Sequence, residues 1–382
     1  MAMNYLQYIR SVQPASGPAC DFLISGIDPL VRNAVGGQLV SGLFENRMPL
    51  FVVNNAHRSS LLTDFGPYRV VSALSGEVSF CRELLDVDSL ALASISRLRS
   101  FLAGLGFDGP RAMQVISYLR FVRETENRLG NTGLLTPQVL DEYGGSMLVR
   151  WKLDQLVSSG QITQESHQYL LGRYAEVSNA AADFDTFMVL LAPFMEGGPP
   201  TPDLAVNLPL GDFCDDRPMQ DLLCSLLLAF LRQSPESCAV LILDDAAGDR
   251  SSVLRLVQNL PAATPVHLIS NDIFSLDEAG QSLLMNRFPC RIYSRHQSMS
   301  SCRAIEACCG TVDVIRQTTA VTVDRRLGSG SAWDLLLGTN RTETTSRNAP
   351  VRDPRFRKEF IQALPAGTGI VDCAGSQVLF SF

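Results

Sequence analysis

Short apolar runs occupy the two ends of the chain, and a middle region has helical spacing. In the first part, apolar runs at residues 21–26 and 49–54 flank a stretch at 32–44 with the spacing of a helix. Strand, helix and strand at this distance predict a parallel βαβ unit with a right-handed crossover. A further short strand is predicted at 69–71.

Between residues 91 and 195 the apolar residues recur mostly three to four positions apart, which predicts an all-α segment. Helices are predicted at residues 111–129, 136–158 and 163–194. A connector rich in glycine and proline at 197–202 marks the return to strand-like runs.

The last part again alternates strands and helices. Strands are predicted at residues 204–208, 239–245, 265–270 and 291–294, and helices at 218–232 and 251–260. We therefore expect one α/β domain with a mainly parallel sheet and an inserted all-α domain. The expected parts are residues 1–90 and 196–382 for the α/β domain, and 91–195 for the insert.

Composition excludes several classes of protein. Apolar residues make up 46% of the 382 positions and charged residues 19%, below the roughly 25% of an average soluble domain, so the chain can bury a large core. The net charge of −7 disfavours a bulk nucleic-acid binder. Neither a long apolar window nor a signal peptide is evident, so we expect a cytoplasmic protein without membrane insertion.

The order of these parts resembles the RecA-like motor domain of conjugative coupling proteins of the TraG/TraD kind, within the FtsK–HerA group of P-loop ATPases. In that group a strand leads into a phosphate loop, a second strand and an all-α insert follow, and a Walker B strand and a polar sensor strand come later. Residues 22–26, 51–54, 240–245 and 268–271 match those four strands in order, and the segment 354–365 resembles the end of the motor domain.

The resemblance implies a RecA-like sheet and a nucleotide pocket at its edge. It implies a nucleotide pocket lined by Gly26, Arg32, Asn33 and Asn271, a magnesium ligand in Asp244 and a catalytic acid in Asp245. The alternative for the acidic pair is that both residues cap turns, and Asn271 with Asp272 is equally typical of a turn.

The phosphate loop departs from the family pattern. A Walker A loop is G-x-x-x-x-G-K-[ST], because backbone N–H groups and a lysine must surround the phosphates. The corresponding window here is Gly26-Ile27-Asp28-Pro29-Leu30-Val31-Arg32-Asn33. Pro29 has no N–H to donate, Val31 is β-branched and Asp28 brings a negative charge. The window predicts a degenerate loop without a cofactor, or an ATP/Mg site if the protein is active.

Three function classes follow. The first is a non-catalytic scaffold or adaptor that binds a coupling ATPase or another secretion or transfer subunit through the all-α insert, in the cytoplasm or at the inner face of the membrane through that partner. Apolar residues near the end of the insert are its candidate surface, namely Met188, Leu190, Leu191, Phe194 and Met195.

The second class is an active NTPase with an atypical loop. The third is a DNA-binding module that uses residues 341–358, where six basic side chains from Arg341 to Lys358 outnumber two acidic ones. The residue types of that segment predict an exposed loop, and the overall net charge disfavours the third class.

Overall fold

The computed structural model describes residues 21–56, 61–62, 64–79, 99, 102–103, 105–131, 135, 137–195, 197–233, 235–245, 250–324, 341–373 and 375–382. The chain divides into two compact units. The first comprises Met1–Arg295 with Pro365–Phe382, and the second comprises His296–Leu364.

The described residues form eleven strands. They are β1 (Phe22–Ser25), β2 (Leu50–Asn55), β3 (Arg69–Ser72), β4 (Leu204–Leu208), β5 (Ala239–Asp244), β6 (Val266–Ser270), β7 (Cys290–Tyr293), β8 (Thr311–Asp324), β9 (Arg341–Pro354), β10 (Thr368–Cys373) and β11 (Ser376–Ser381). They also form eleven α-helices: α1 (Pro29–Glu45), α2 (Gly109–Arg128), α3 (Pro137–Asp141), α4 (Ser146–Ser158), α5 (Gln164–Val177), α6 (Ala181–Met195), α7 (Arg217–Gln233), α8 (Ser251–Asn259), α9 (Glu278–Arg287), α10 (Met299–Cys308) and α11 (Lys358–Gln362).

A nine-stranded sheet is the centre of the first unit. Its strand order is β11-β10-β7-β1-β6-β5-β2-β4-β3, and all neighbours are parallel except the pairs that involve β10. Every residue of β1, β5 and β6 is buried, as expected for apolar central strands of a parallel sheet. This is the predicted α/β architecture with a mainly parallel sheet, so that part of the predicted fold class is confirmed.

Strand β6 lies between β1 and β5 and pairs with both in parallel. The carboxyl ends of these strands, together with that of β2 on the other side of β5, therefore meet at one edge of the sheet. In open α/β sheets this edge is where ligands bind. The sequence-predicted site residues follow β1, β5 and β6, so the topology brings those segments together.

Helix α1 begins earlier than the spacing of apolar residues predicted. It starts at Pro29 because Asp28 caps it: the Asp28 carboxylate accepts a hydrogen bond from the N–H of Leu30 at 2.9 Å. Proline suits the first turn, where its missing N–H needs no partner. The supposed phosphate loop is thus largely the first turn of a helix.

Helices α2 to α6 lie between residues 109 and 195, and this segment has an aromatic core. Tyr118 stacks on Phe184 with ring centroids 4.5 Å apart, and Phe121 packs against Tyr143 and Tyr174. The predicted helix at 136–158 is interrupted before α4, where Gly145 has a φ of 74°. The predicted boundary at 90/91 lies outside the described residues, and a separable insert stays a prediction.

The second unit contains an antiparallel ribbon in which β8 and β9 pair along 14 residues each. The expectation of an exposed loop at residues 341–358 is therefore wrong for most of that segment. In its described part, Arg352 pairs with Asp313 and Arg357 with Asp353, which offsets part of the local positive charge. Within the ranges given above, no helix is long and apolar enough to span a bilayer.

Candidate functional site

The loop after β1 uses its own backbone donors. The N–H of Gly26 donates to the Ser270 carbonyl at 3.0 Å, and the N–H of Ile27 donates to the Arg295 carbonyl at 3.0 Å. The N–H of Leu30 donates to the Asp28 side chain. A phosphate loop needs such N–H groups to point at the ligand. Three donors of the window are therefore already engaged within the protein.

Asp28 supplies a negative charge at the point where a phosphate would bind. Its Oδ1 accepts from Leu30 and its Oδ2 accepts from the N–H of Gly367 at 2.7 Å, so both oxygens are used. The residue is only 3% exposed. A helix N-terminus favours an anion through its free N–H groups and its dipole. Here the chain provides that anion itself.

Gly26 is required by packing. Its φ is +136°, in a region that L side chains rarely adopt. A Cβ atom on Gly26 would lie 2.1 Å from Ser294 Oγ and 3.0 Å from the Ser294 carbonyl carbon. This residue matches the first glycine of a Walker A loop, and the close approach of Ser294, directly after β7, explains it without a nucleotide.

Arg32 joins a chain of side chains along the sheet edge. Its Nη1 donates to Asn271 Oδ1, and Asn271 Nδ2 donates to Asp245 Oδ1 at 3.1 Å. Burial lowers the pKa of the Arg32 guanidinium, while the charges of Asp28 and Asp245 act in the opposite direction. The structure thus brings together three of the predicted residues, Arg32, Asn271 and Asp245.

Asp244, the predicted magnesium ligand, is buried in an ion pair with Arg250. Asn55 Nδ2 donates to Asp244 Oδ1 at 3.0 Å. Burial raises the pKa of the Asp244 carboxyl, and the charge of Arg250 and the hydrogen bonds from Arg250 and Asn55 oppose that effect. Both carboxylate oxygens therefore have partners from the protein.

The Arg250 guanidinium has several hydrogen-bond acceptors within the protein. Besides Asp244, its guanidinium donates to Ser270 Oγ at 2.7 Å, to Ser275 Oγ at 2.9 Å and to the Asp272 carbonyl at 3.0 Å. It also occupies the position just before α8. A cation at a helix N-terminus is opposed by the helix dipole, so the carboxylate of Asp244 and the other acceptors must offset that cost.

These residues do not fit a magnesium nucleotide. A phosphate at α1 would face the Asp28 carboxylate, and a metal at Asp244 would have to displace Arg250. Asn33, which occupies the position of the Walker A serine or threonine, is exposed on α1. Among the residues that the structure describes, no three His, Cys, Asp or Glu side chains lie together as a metal site. What remains of the predicted pocket is the chain of Arg32, Asn271 and Asp245.

Sequence reasoning missed Arg250, Asn55 and Gly367 as parts of this edge. Asn55 directly ends the buried strand β2, next to Asp244 in the sheet register, and such a polar strand end is a usable signal. Arg250 follows Asp244 by six positions, and that spacing does not determine a contact. Gly367 reaches Asp28 across 339 positions of the chain, which no local pattern indicates.

No family model matches the chain, and a search of curated proteins found no match. Solved structures do match. The unbound bacterial conjugative coupling protein TrwB is 13% identical with a TM-score of 0.47, and the match covers 97% of this chain and 88% of that chain. TrwB in complex with ADP and Mg²⁺ is 13% identical with a TM-score of 0.46, covering 97% and 89%.

VirB4 of Thermoanaerobacter pseudethanolicus also matches. It is 8% identical with a TM-score of 0.46, and the match covers 95% of this chain and 89% of that chain. The chain is similar to coupling proteins and to VirB4.

Proposed function

We propose that this chain is a catalytically degenerate RecA-like homologue of coupling proteins that acts as a scaffold or adaptor in a DNA-transfer or protein-secretion assembly. One observation carries the proposal: internal charges fill the nucleotide-binding edge of the sheet. Asp28 lies at the helix N-terminus where a phosphate would bind, and Arg250 pairs with Asp244 where magnesium would be held. Such a protein retains the architecture of a motor domain without its chemistry.

The energetic argument runs against nucleotide binding. A phosphate at α1 would have to displace the Asp28 carboxylate from two N–H donors, and hydrogen bonds to charged groups contribute about 1.5–3 kcal/mol each. A metal at Asp244 would leave the Arg250 guanidinium buried without its counter-charge, which is a strongly unfavourable state. The two displacements would have to occur together for a magnesium nucleotide to bind.

The proposed role requires a protein partner, such as a coupling ATPase or another transfer or secretion subunit, and the helices within residues 91–195 are its proposed docking region. Two residues of the candidate surface, Met188 and Leu191, are buried in that helical segment. The side chains of Phe194 and Met195 are not among those that the structure describes. Of that surface, Leu190 is half-buried, so a partner would rely mainly on other exposed apolar residues of this segment.

The alternative function is an active NTPase with an atypical loop. It is favoured by the chain of hydrogen bonds from Arg32 through Asn271 to Asp245. These residues keep a cation, an amide and an acid together at the sheet edge. In this alternative Arg32 would contact phosphate and Asp245 would orient the attacking water.

Phosphate release from Mg-ATP separates the two functions. We expect the native chain to release no more phosphate than an Asp245→Asn variant, in which the Asn271 hydrogen bond can still form because the asparagine carbonyl also accepts. Release by the native chain that is lost in both Asp245→Asn and Arg32→Ala would overturn the adaptor proposal and support the NTPase.

A further inference from the structure

A groove on the helical segment has the dimensions of a binding site. It lies along α4 and has a volume of about 440 Å³, within the range of about 300–1,000 Å³ that is typical of ligand pockets. Its walls include Leu148, Trp151 and Leu156, with Glu142, Lys152 and Gln155 as polar members. The groove is therefore apolar along one side and charged at one end.

The apolar side of the groove belongs to an exposed patch of α4. Met147 is 85% exposed, Leu148 54% and Trp151 63%. Residues four apart lie on the same helix face, so Met147 and Trp151 are neighbours. The opposite face of α4 is already used, since Val149 and Leu153 are fully buried. A helix with a second, solvent-facing apolar surface is typical of a protein interaction site.

The charged end of the groove has an excess carboxylate. Lys152 Nζ lies 2.6 Å from Glu142 Oε2 and 3.4 Å from Glu126 Oε1, so one ammonium serves two acids. Glu126 is buried and also accepts hydrogen bonds from Tyr143 Oη and Asn131 Nδ2.

Burial raises the pKa of Glu126, but these hydrogen bonds and the charge of Lys152 outweigh it, so the pKa lies below its ordinary value. Glu126 is therefore ionised at neutral pH and needs the nearby ammonium. The Glu142 carboxylate, 58% exposed at the rim, then carries a charge that Lys152 does not fully balance.

We propose that this groove binds a short peptide segment of a protein partner in which an apolar side chain is followed by arginine or lysine. The apolar side chain packs against Trp151 and Leu148, and the basic group pairs with Glu142. The Gln155 amide is available at the groove to hydrogen-bond the peptide backbone. The inference rests on the proposed function, because it names the chemistry of the partner that the helical segment would receive.

Fluorescence anisotropy with the full chain tests the groove. The probe is a fluorescein-labelled glycine-serine peptide that carries one phenylalanine followed by two arginines. Two matched peptides replace the phenylalanine by serine or the arginines by glutamates. We expect the first peptide to bind with a Kd of about 10–100 µM and both matched peptides to bind at least about tenfold more weakly.

Variants of the chain locate the binding. Trp151→Ala should abolish binding, and Glu142→Gln, which removes only the charge, should weaken it about fivefold. Val189→Ala is the matched control, because Val189 is a 74% exposed apolar residue on α6 outside the groove, and it should bind as the native chain does. Circular dichroism confirms that each variant is folded.

Other results would overturn the inference. They are the absence of binding, equal binding of the arginine and glutamate peptides, or full binding by Trp151→Ala. Light scattering tests the alternative that the groove binds a second copy of the chain. A native dimer that Trp151→Ala converts to a monomer would assign the groove to that copy. Mg-ATP binding would contradict the proposed function and leave the peptide result unaffected, so the two failures are distinguishable.

Discussion

The described residues that follow β1 and those that follow β5 lie at the same edge of one sheet, yet they balance charge in opposite ways. After β1 the chain supplies an anion, Asp28, and neutralises it with backbone N–H groups. After β5 it supplies a cation, Arg250, and neutralises it with the buried carboxylate of Asp244. In the proposed function, the first arrangement takes the place of a phosphate and the second takes the place of a metal ion. Removing the charged residue should therefore cost more after β5, where loss of Arg250 leaves the Asp244 carboxylate buried, than after β1, where loss of Asp28 leaves only backbone N–H groups.

Arg250→Ala should have the largest effect on stability. It leaves the Asp244 carboxylate buried without its counter-charge, which costs about 3–5 kcal/mol of unfolding free energy. Urea denaturation measures the loss.

Arg255→Ala is the matched control for that variant. Arg255 lies on the same helix, α8, and pairs with Asp221 while half exposed, so its removal should cost no more than about 1 kcal/mol. Equal losses for the two variants would contradict the difference drawn between a buried and an exposed charge pair.

Gly26→Ala should destabilise the loop after β1 by about 3 kcal/mol, because the new methyl group overlaps Ser294 and the residue keeps a positive φ. Gly37→Ala in α1 provides the comparison. A Cβ atom there meets nothing within 4 Å, so this variant should be neutral or slightly more stable. Thermal unfolding of both variants decides, and a neutral Gly26→Ala would remove the packing explanation for this glycine.

Strand β6 lies between β1 and β5 in the sheet, and it offers a test that leaves Asp28 and Arg250 unchanged. His267 on β6 is buried against Phe22, and burial lowers its pKa from 6.5 to about 4. As pH falls below 6.5, the unfolded chain takes up a proton that the folded chain does not. Stability should therefore fall by about 2 kcal/mol between about pH 7 and about pH 4.5.

Urea unfolding at both pH values, for the native chain and for His267→Leu, isolates this contribution. The native chain should lose about 2 kcal/mol more than the variant over that interval. The same pH dependence in both proteins would show that His267 does not remain neutral inside the sheet.

Asp28→Ala should cost about 2 kcal/mol, because it removes both a helix cap and the acceptor of the Gly367 N–H. Asp277→Ala is the control, because Asp277 is an exposed N-cap of α9 whose carboxylate accepts a hydrogen bond from the N–H of Gly280. Its removal should cost about 1 kcal/mol. The difference between the two variants in urea denaturation measures the Gly367 contact. No difference would mean that this contact contributes nothing.

Sequence reasoning was most successful where burial dominates. The apolar runs of β1, β2, β5 and β6 predicted a mainly parallel sheet, because central strands are apolar on both faces. The ribbon strand β9 was missed, since its threonine, serine, asparagine and proline residues are typical of loops.

At the site, the sequence predicted which segments meet at the sheet edge, but it did not predict which charged side chains pair there. Asp28 and Pro29 were interpreted as damage to a phosphate loop, although an aspartate followed by proline is also a signal for the start of a helix. The contacts of Asp28 with Gly367 and of Asp244 with Arg250 depend on tertiary packing. Neither follows from local spacing.

Calorimetry with Mg-ATP tests most directly the claim that Asp28 and the Asp244–Arg250 pair occupy the positions that a phosphate and a magnesium ion would need. The native chain is titrated to about 1 mM nucleotide, with Arg32→Ala as the matched variant because Arg32 is the cation that remains near the loop. The account predicts no saturable heat from either protein. A saturable heat in the native chain that disappears in Arg32→Ala would contradict it.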